Sequence, residues 1–259
     1  IQLDLGKMKQ ALDDESAKFT SVKKLTSGSK VAVSFDNKDA GNYLIARGKE
    51  TDMNDIMACF SAKSNDQDRR QTFLSYATLT QQNEFYVATE KKKLIVMRRD
   101  TESKFGSDFG INDNSWHAWC FSWSSAGNIQ VFKDGVKQSG AKSNVAAGKK
   151  VEAGGVWMVG QAQVTVGNHD NKAKSFKGEI TNVNIFETSA EDFGVQASRN
   201  KCSQPERFEN NVRSWRDFRR GKVGGVKVPT VNTACPVRRI FDDFQINQGR
   251  GRYFQQRHS

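Results

Sequence analysis

The ten residues Trp116–Ser125, Trp-His-Ala-Trp-Cys-Phe-Ser-Trp-Ser-Ser, leave few options for the chain around them. In an extended strand His117, Trp119, Phe121 and Trp123 share one face, and Ala118, Cys120, Ser122 and Ser124 share the other. One face is therefore bulky and apolar, while the other carries a thiol among small residues. The chain then turns at Ser125-Ala126-Gly127-Asn128 and continues extended through Ile129–Lys133. It turns again at Asp134-Gly135, a pair suited to a two-residue hairpin. Such a run belongs at the centre of an antiparallel sheet.

Strand patterns continue on both sides at the rhythm of a β-sandwich. Lys30–Phe35, Asn42–Ala46, Asp55–Phe60, Thr72–Thr78, Glu84–Thr89 and Lys93–Arg98 precede it, with Ser64–Arg70 as a polar loop. Val156–Val159 and Gly178–Phe186 follow it. Thr188-Ser189-Ala190-Glu191 reads as a capping box that opens a short helix from Glu191 to about Ser198. Near the start, Leu3, Leu5, Met8 and Leu12 have helical spacing, limited by Gly6 and the polar run Asp13–Ser16 to about three turns. No internal repeat or low-complexity segment interrupts the pattern.

A chain of 259 residues is long enough for one large all-β domain or two small ones. No apolar run reaches the length of a membrane span. Ile1-Gln2-Leu3-Asp4-Leu5 has neither the basic start nor the apolar core of a signal peptide, so it reads as a processed end or as the start of a cytosolic protein. The four cysteines, Cys59, Cys120, Cys202 and Cys235, lack the close spacing of a zinc site. They allow three disulfide pairings, or four buried thiols. Disulfides would place the protein outside the cell.

Several segments resemble the pentraxin family. Cys120-Phe121-Ser122-Trp123-Ser124-Ser125 resembles its Cys-x-Ser/Thr-Trp-x-Ser/Thr signature, with Ala118 at the usual histidine position and Trp116-His117 just before. Ser75-Tyr76-Ala77-Thr78 with Asn83-Glu84, the strand Gly178–Phe186, and Asn211-Val212 with Trp215 resemble further family segments in family order. The resemblance runs from about residue 30 to Cys235 and implies an all-β, two-sheet antiparallel jelly-roll sandwich with one short helix after the last core strand. It divides the chain into an N-terminal extension (1–28), the sandwich domain (29–235) and a basic tail (236–259). It also implies a Cys59–Cys120 disulfide, leaving Cys202 to pair with Cys235.

Pentraxins hold calcium through an Asp-Asn pair, a Glu-Gln-Asp run and a later Glu and Gln, and these ions carry the family's phosphate or sugar ligands. At the matching positions this chain has Gln82 and Asn83, then Ala162, Gln163 and Val164, then Asn171 and Lys174. Almost every carboxylate is replaced, and a cation is added. Calcium needs several oxygen ligands, some of them charged, so no calcium or other cofactor is expected. Asn168-His169-Asp170-Asn171 reads as a polar hairpin loop, with a displaced metal site as the alternative. Lys172, Lys174 and Lys177 raise a further option, direct contact with an anion in place of the metal.

Charge is the least even property of the chain. The formal net charge is +11, and residues 199–259 carry 14 Lys and Arg against 5 Asp and Glu. Arg213, Arg216, Arg219, Arg220, Arg238, Arg239, Arg250 and Arg252 are the candidate contacts for an anion or for assembly, the partner being an acidic glycan, a nucleic acid or an acidic protein surface such as a face of another subunit, because clustered arginine favours paired hydrogen bonds to oxyanions. A solvated basic surface is the plain alternative. Nucleic acid is the weakest anionic partner, since no helix-turn-helix, zinc-finger, RNP-type or phosphate-loop pattern occurs. In the tail, Ile240–Ile246 alternates like a strand and Gly249–Phe254 reads as an extended arm that docks on the domain or on a neighbouring subunit.

None of the three histidines sits in a nucleophile, metal or acid-base motif, and His117 reads as a core or interface residue. The sequence therefore points to a non-enzymatic, secreted pentraxin-like protein that self-associates into a multimeric structural or matrix assembly, as a closed oligomer or a filament, without the usual calcium site. The alternative is a lectin-like recognition protein for acidic glycans or phosphate-bearing ligands.

Overall fold

The computed structural model describes residues 31–36, 40–106, 112–170, 172–199 and 211–227. The expected N-terminal helix, the Cys202–Cys235 bridge, Asn171, and the tail with Arg238, Arg239, Arg250 and Arg252 lie outside the described residues.

Period-two alternation over β-prone residues produces strands in the expected segments. In chain order they are β1 (Val33–Phe35), β2 (Tyr43–Arg47), β3 (Asp55–Lys63), β4 (Gln71–Ala77), β5 (Phe85–Glu90), β6 (Lys93–Arg98), β7 (Thr101–Phe105), β8 (His117–Ser124), β9 (Ile129–Lys133) and β10 (Val136–Lys137). The second half contributes β11 (Val156–Val159), β12 (Gln163–Thr165), β13 (Asn168–His169), β14 (Gly178–Phe186), helix α1 (Glu191–Arg199), β15 (Asn211–Arg213), helix α2 (Trp215–Arg220) and β16 (Lys222–Val223). One sheet runs β1-β14-β3-β8-β9-β10, with β15 added to β14. The other runs β16-β2-β11-β4-β5-β6-β7. The paired strands are antiparallel, as the sequence pattern requires.

The ring-bearing face of β8 turns into the space between the sheets, where Trp119, Phe121 and Trp123 are fully buried. Phe60 of β3 stacks on Phe121 at 5.5 Å and on Phe73 of the opposite sheet at 5.3 Å, which couples the two layers. Burying each such ring contributes roughly 1.5–3 kcal/mol.

The thiol face of β8 meets a second apolar layer. Cys59 and Cys120 are directly opposed in the β3–β8 ladder and form the expected disulfide. They pack with Met57, Phe132 and Phe186 beneath α1. Gly194 lets that helix approach closely, because a Cβ there would come within 2.8 Å of the Phe132 ring.

Local signals account for the turns unevenly. Asp134 and Gly135 have φ of 50° and 82°, as the hairpin pattern predicts. Lys91-Lys92 and Arg99-Asp100 make equivalent positive-φ pairs without glycine, and the second of these turns leads into β7, a strand absent from the sequence reading. The Thr188 capping box also needs correction. Thr188 Oγ1 accepts from the Ala190 N–H at 3.1 Å, forming a turn ahead of a helix that starts at Glu191. The capping box lies instead at α2, where the Ser214 N–H donates to Asp217 Oδ2 at 2.8 Å. Among the described residues no helix is long and apolar enough to cross a membrane.

Candidate functional site

The candidate residues fall in two regions, the family's calcium positions and the arginine cluster.

At the calcium positions, Gln82 is exposed in the β4–β5 turn, and Asn83 Nδ2 donates to Asp100 Oδ1 at 2.7 Å. Ala162 and Gln163 are buried. Gln163 Nε2 donates to Ser75 Oγ at 3.2 Å and to the Val156 carbonyl at 3.0 Å, and its Oε1 accepts from the Gly167 N–H at 2.8 Å. That amide therefore pins the β12–β13 hairpin inward. Val164 is 42% exposed and offers no donor atom to a metal. Lys174 Nζ meets Asp170 Oδ2 at 2.5 Å, so an internal ion pair answers its charge. Two apolar side chains, an inward amide and a paired cation do not fit a calcium ion. Asn168 and His169 form β13, as a polar hairpin requires, and His169 Nδ1 lies 2.8 Å from the Asp170 carbonyl. Among the described residues no three His, Cys, Asp or Glu side chains gather as a metal site needs.

Behind Asn83 lies a charged cluster that sequence reasoning missed. Glu84 and Arg98 are both fully buried and pair at 2.8 Å. Arg98 also donates to the Glu84 and Lys150 carbonyls at 2.7 and 2.6 Å and lies 4.2 Å from the Trp123 ring centre. Burial pulls the Arg98 pKa down, and Glu84 opposes that pull. Arg99 bridges Glu84 and Glu152 at 3.2 and 2.8 Å. Hydrogen bonds from Thr80 and Arg99 hold the Glu152 carboxyl at about 2, well below its ordinary value.

His117 is partly buried at the edge of the core, with Nδ1 at 2.6 Å from Asp134 Oδ2 and Nε2 at 2.9 Å from Asp113 Oδ2. Asp134 Oδ1 also accepts the Ala118 N–H at 2.9 Å, so the histidine is tied to its own hairpin.

The arginine cluster is brought together by α2. Trp215 and Phe218 anchor that helix in the core, and Arg216, Asp217 and Arg220 are exposed. Gly221 ends it against β2, where a Cβ would lie 1.8 Å from the Ile45 carbonyl oxygen, and the Ile45 N–H donates to the Gly221 carbonyl at 2.8 Å. This close approach creates an open groove of about 480 Å³ lined by Arg47, Arg213, Arg216, Arg220, Asp217 and Asn211, with Ala46, Val212 and Ser214.

Three of the predicted arginines line the groove, and they are not equivalent. Arg213 does not reach outward; its guanidinium donates to the carbonyls of Arg47, Val212 and Gly48. It is a fixed positive charge that clamps β15 to the end of β2. Arg216 and Arg220 are exposed, whereas Arg219 is half-buried and outside the groove lining. Arg47 was missed because nothing local marks an arginine at the end of a strand as part of a basic cluster.

The Pentaxin family model matches residues 33–229. The chain is 28% identical over 194 residues to the rat (Rattus norvegicus) Sushi, von Willebrand factor type A, EGF and pentraxin domain-containing protein 1, a match that covers 74% of this chain and 5% of that protein. C-reactive protein 1.4 of Limulus polyphemus is 27% identical over 177 residues, covering 66% of this chain and 73% of the relative. Among solved structures, a native heptameric SAP-like pentraxin from Limulus polyphemus superposes with a TM-score of 0.66 at 20% identity, over 80% of this chain and 98% of that one. The family match spans both sheets, the Cys59–Cys120 bridge and the capped helix at Trp215, and on this ground the chain belongs to the Pentaxin family.

Proposed function

We propose that this chain is a non-enzymatic, calcium-independent subunit of an extracellular assembly made from several copies. The observation that carries the proposal is the donor chemistry at the family's ligand positions. Ala162 and Val164 supply no side-chain oxygen, Gln163 is committed to Ser75 and Val156, and Lys174 is paired with Asp170. An ion as oxygen-demanding as calcium gains nothing there.

The Cys59–Cys120 bridge suits an oxidising, extracellular setting. Self-association is supported by the heptameric assembly of the Limulus relative. Glu84 and Glu152 are engaged by arginines, threonines and backbone rather than facing each other across a substrate groove, which favours a binding role over a hydrolytic one.

Light scattering of the full chain, with and without a calcium chelator, tests this reading. A mass at a multiple of 29.0 kDa that chelation leaves unchanged is expected. A monomer in both buffers, or an assembly that dissociates when calcium is removed, contradicts it.

The second reading, recognition of an acidic glycan or phosphate-bearing ligand, is favoured by one feature, the groove of four arginines beside α2.

A further inference from the structure

Ten arginines fall within the described segments, and carboxylates answer only some of those whose side chains are described. Arg69 pairs with Asp66, Arg70 with Glu90 and Glu102, Arg98 with Glu84, and Arg99 with Glu84 and Glu152. Among the described residues no carboxylate pairs with Arg47, Arg213, Arg216 or Arg220, although all four line one groove. Asp217, the single acidic residue in the lining, is held by the Ser214 N–H and Oγ at 2.8 Å each.

The clustering works against the stability of the helix that creates it. Arg216 and Arg220 stand four residues apart on α2, a like-charge spacing that costs a few tenths of a kcal/mol in a helix. They project from points about 6 Å apart along the helix axis. Arg213 adds a third charge whose position is fixed by three carbonyls, so part of the positive field is preorganised before any ligand arrives.

The lining also selects among anions. Trp215 and Phe218 are fully buried, so no aromatic ring in the groove is available for stacking nucleobases. The large apolar side chains exposed among the described residues are Leu79, Val136 and Val164, none of which lines the groove, so it has nothing to insert into a bilayer. A second copy of a chain with net charge +11 is a poor source of matching negative charge. A hydrophilic polymer with closely spaced strong-acid groups matches all three conditions.

We propose that the groove between the end of β2 and α2 binds a sulfated polysaccharide without calcium. The exposed guanidinium groups of Arg47, Arg216 and Arg220 take sulfate oxygens, and Arg213 supplies a fixed field behind them. This deepens the second functional reading and does not depend on self-association.

The test measures binding of a short heparin oligosaccharide to the full chain in chelator. The oligosaccharide is kept short so that bridging between copies does not inflate affinity. The Arg216→Gln/Arg220→Gln double variant should bind about tenfold more weakly or worse, the loss expected for charge-assisted hydrogen bonds. The Lys149→Gln/Lys150→Gln variant removes the same charge from an exposed loop elsewhere and should retain binding within about twofold. Desulfated oligosaccharide and poly-glutamate should both fail to compete.

Equal losses in the two variants, or none in either, would overturn the site. Competition by poly-glutamate at equal strength would overturn the sulfate assignment in favour of an acidic peptide. Light scattering on the same samples separates the two accounts, because the arginine variant should lose the glycan while keeping the mass of the parent protein.

Discussion

Arg98 on β6 and Glu84 just ahead of β5 form an ion pair at 2.8 Å in which neither side chain is exposed. The guanidinium also lies against Trp123, so the pair sits between the charged end of one sheet and the aromatic core. Arg98→Met leaves a buried carboxylate short of its main partner and should cost about 3–5 kcal/mol in urea unfolding. The Glu84→Gln/Arg98→Met double variant should lose less than the two single losses combined, because the pair acts as a unit. Additive losses would show that the two residues stabilise the fold separately.

The Cys59–Cys120 bridge closes a sequence separation of 61 residues across adjacent strands. Cys59→Ala/Cys120→Ala should lose about 4 kcal/mol, chiefly because the unfolded chain regains the freedom of that loop. The check is a denaturation midpoint compared with the parent under non-reducing conditions. A loss below about 1 kcal/mol would place the bridge's role outside global stability.

Glu152 gives the protein an acid dependence of definite sign. Hydrogen bonds from Thr80 and Arg99 lead in holding its pKa at about 2, against an ordinary 4.5. A folded value below the unfolded one means the contribution is complete above about pH 4.5 and is lost as pH falls toward 2. Unfolding of Glu152→Gln across that window should therefore decline less steeply than that of the parent. Identical slopes would show that the carboxylate gains nothing on folding.

Gly221 sets the distance between α2 and β2. Gly221→Ala places a methyl group against the Ile45 carbonyl and should cost about 1–3 kcal/mol, as overpacking does. Because the same contact forms the arginine groove, oligosaccharide affinity should fall as well. Stability and affinity both unchanged would mean that α2 can shift without loss.

Much of the sandwich was legible because it rests on local alternation. The opposed faces of β8, the strands β11 and β14 and the Asp134-Gly135 turn all follow from residue order. What escaped depends on residues far apart in sequence. No local signal separates a buried glutamate from an exposed one, so Glu84 looked ordinary until the β5–β6 hairpin brought Arg98 to it. Strand β7 is polar and begins at an arginine-aspartate turn, a weak hairpin signal. The arginine cluster was visible as composition, but composition did not distinguish Arg213, held by backbone carbonyls, from Arg216 and Arg220, which face solvent. Nor could it place Arg47 beside them, since that contact depends on Gly221 docking α2 against β2.

The central claim is that this member of the family works without calcium, and titrating calcium into the full, metal-stripped chain by calorimetry tests it most directly. The account predicts no saturable binding up to about 1 mM, the weak limit of extracellular calcium modules. Saturable binding below that concentration, abolished by substitution of Gln163 or Asn83, would show that these residues reorganise around the ion and would contradict the account.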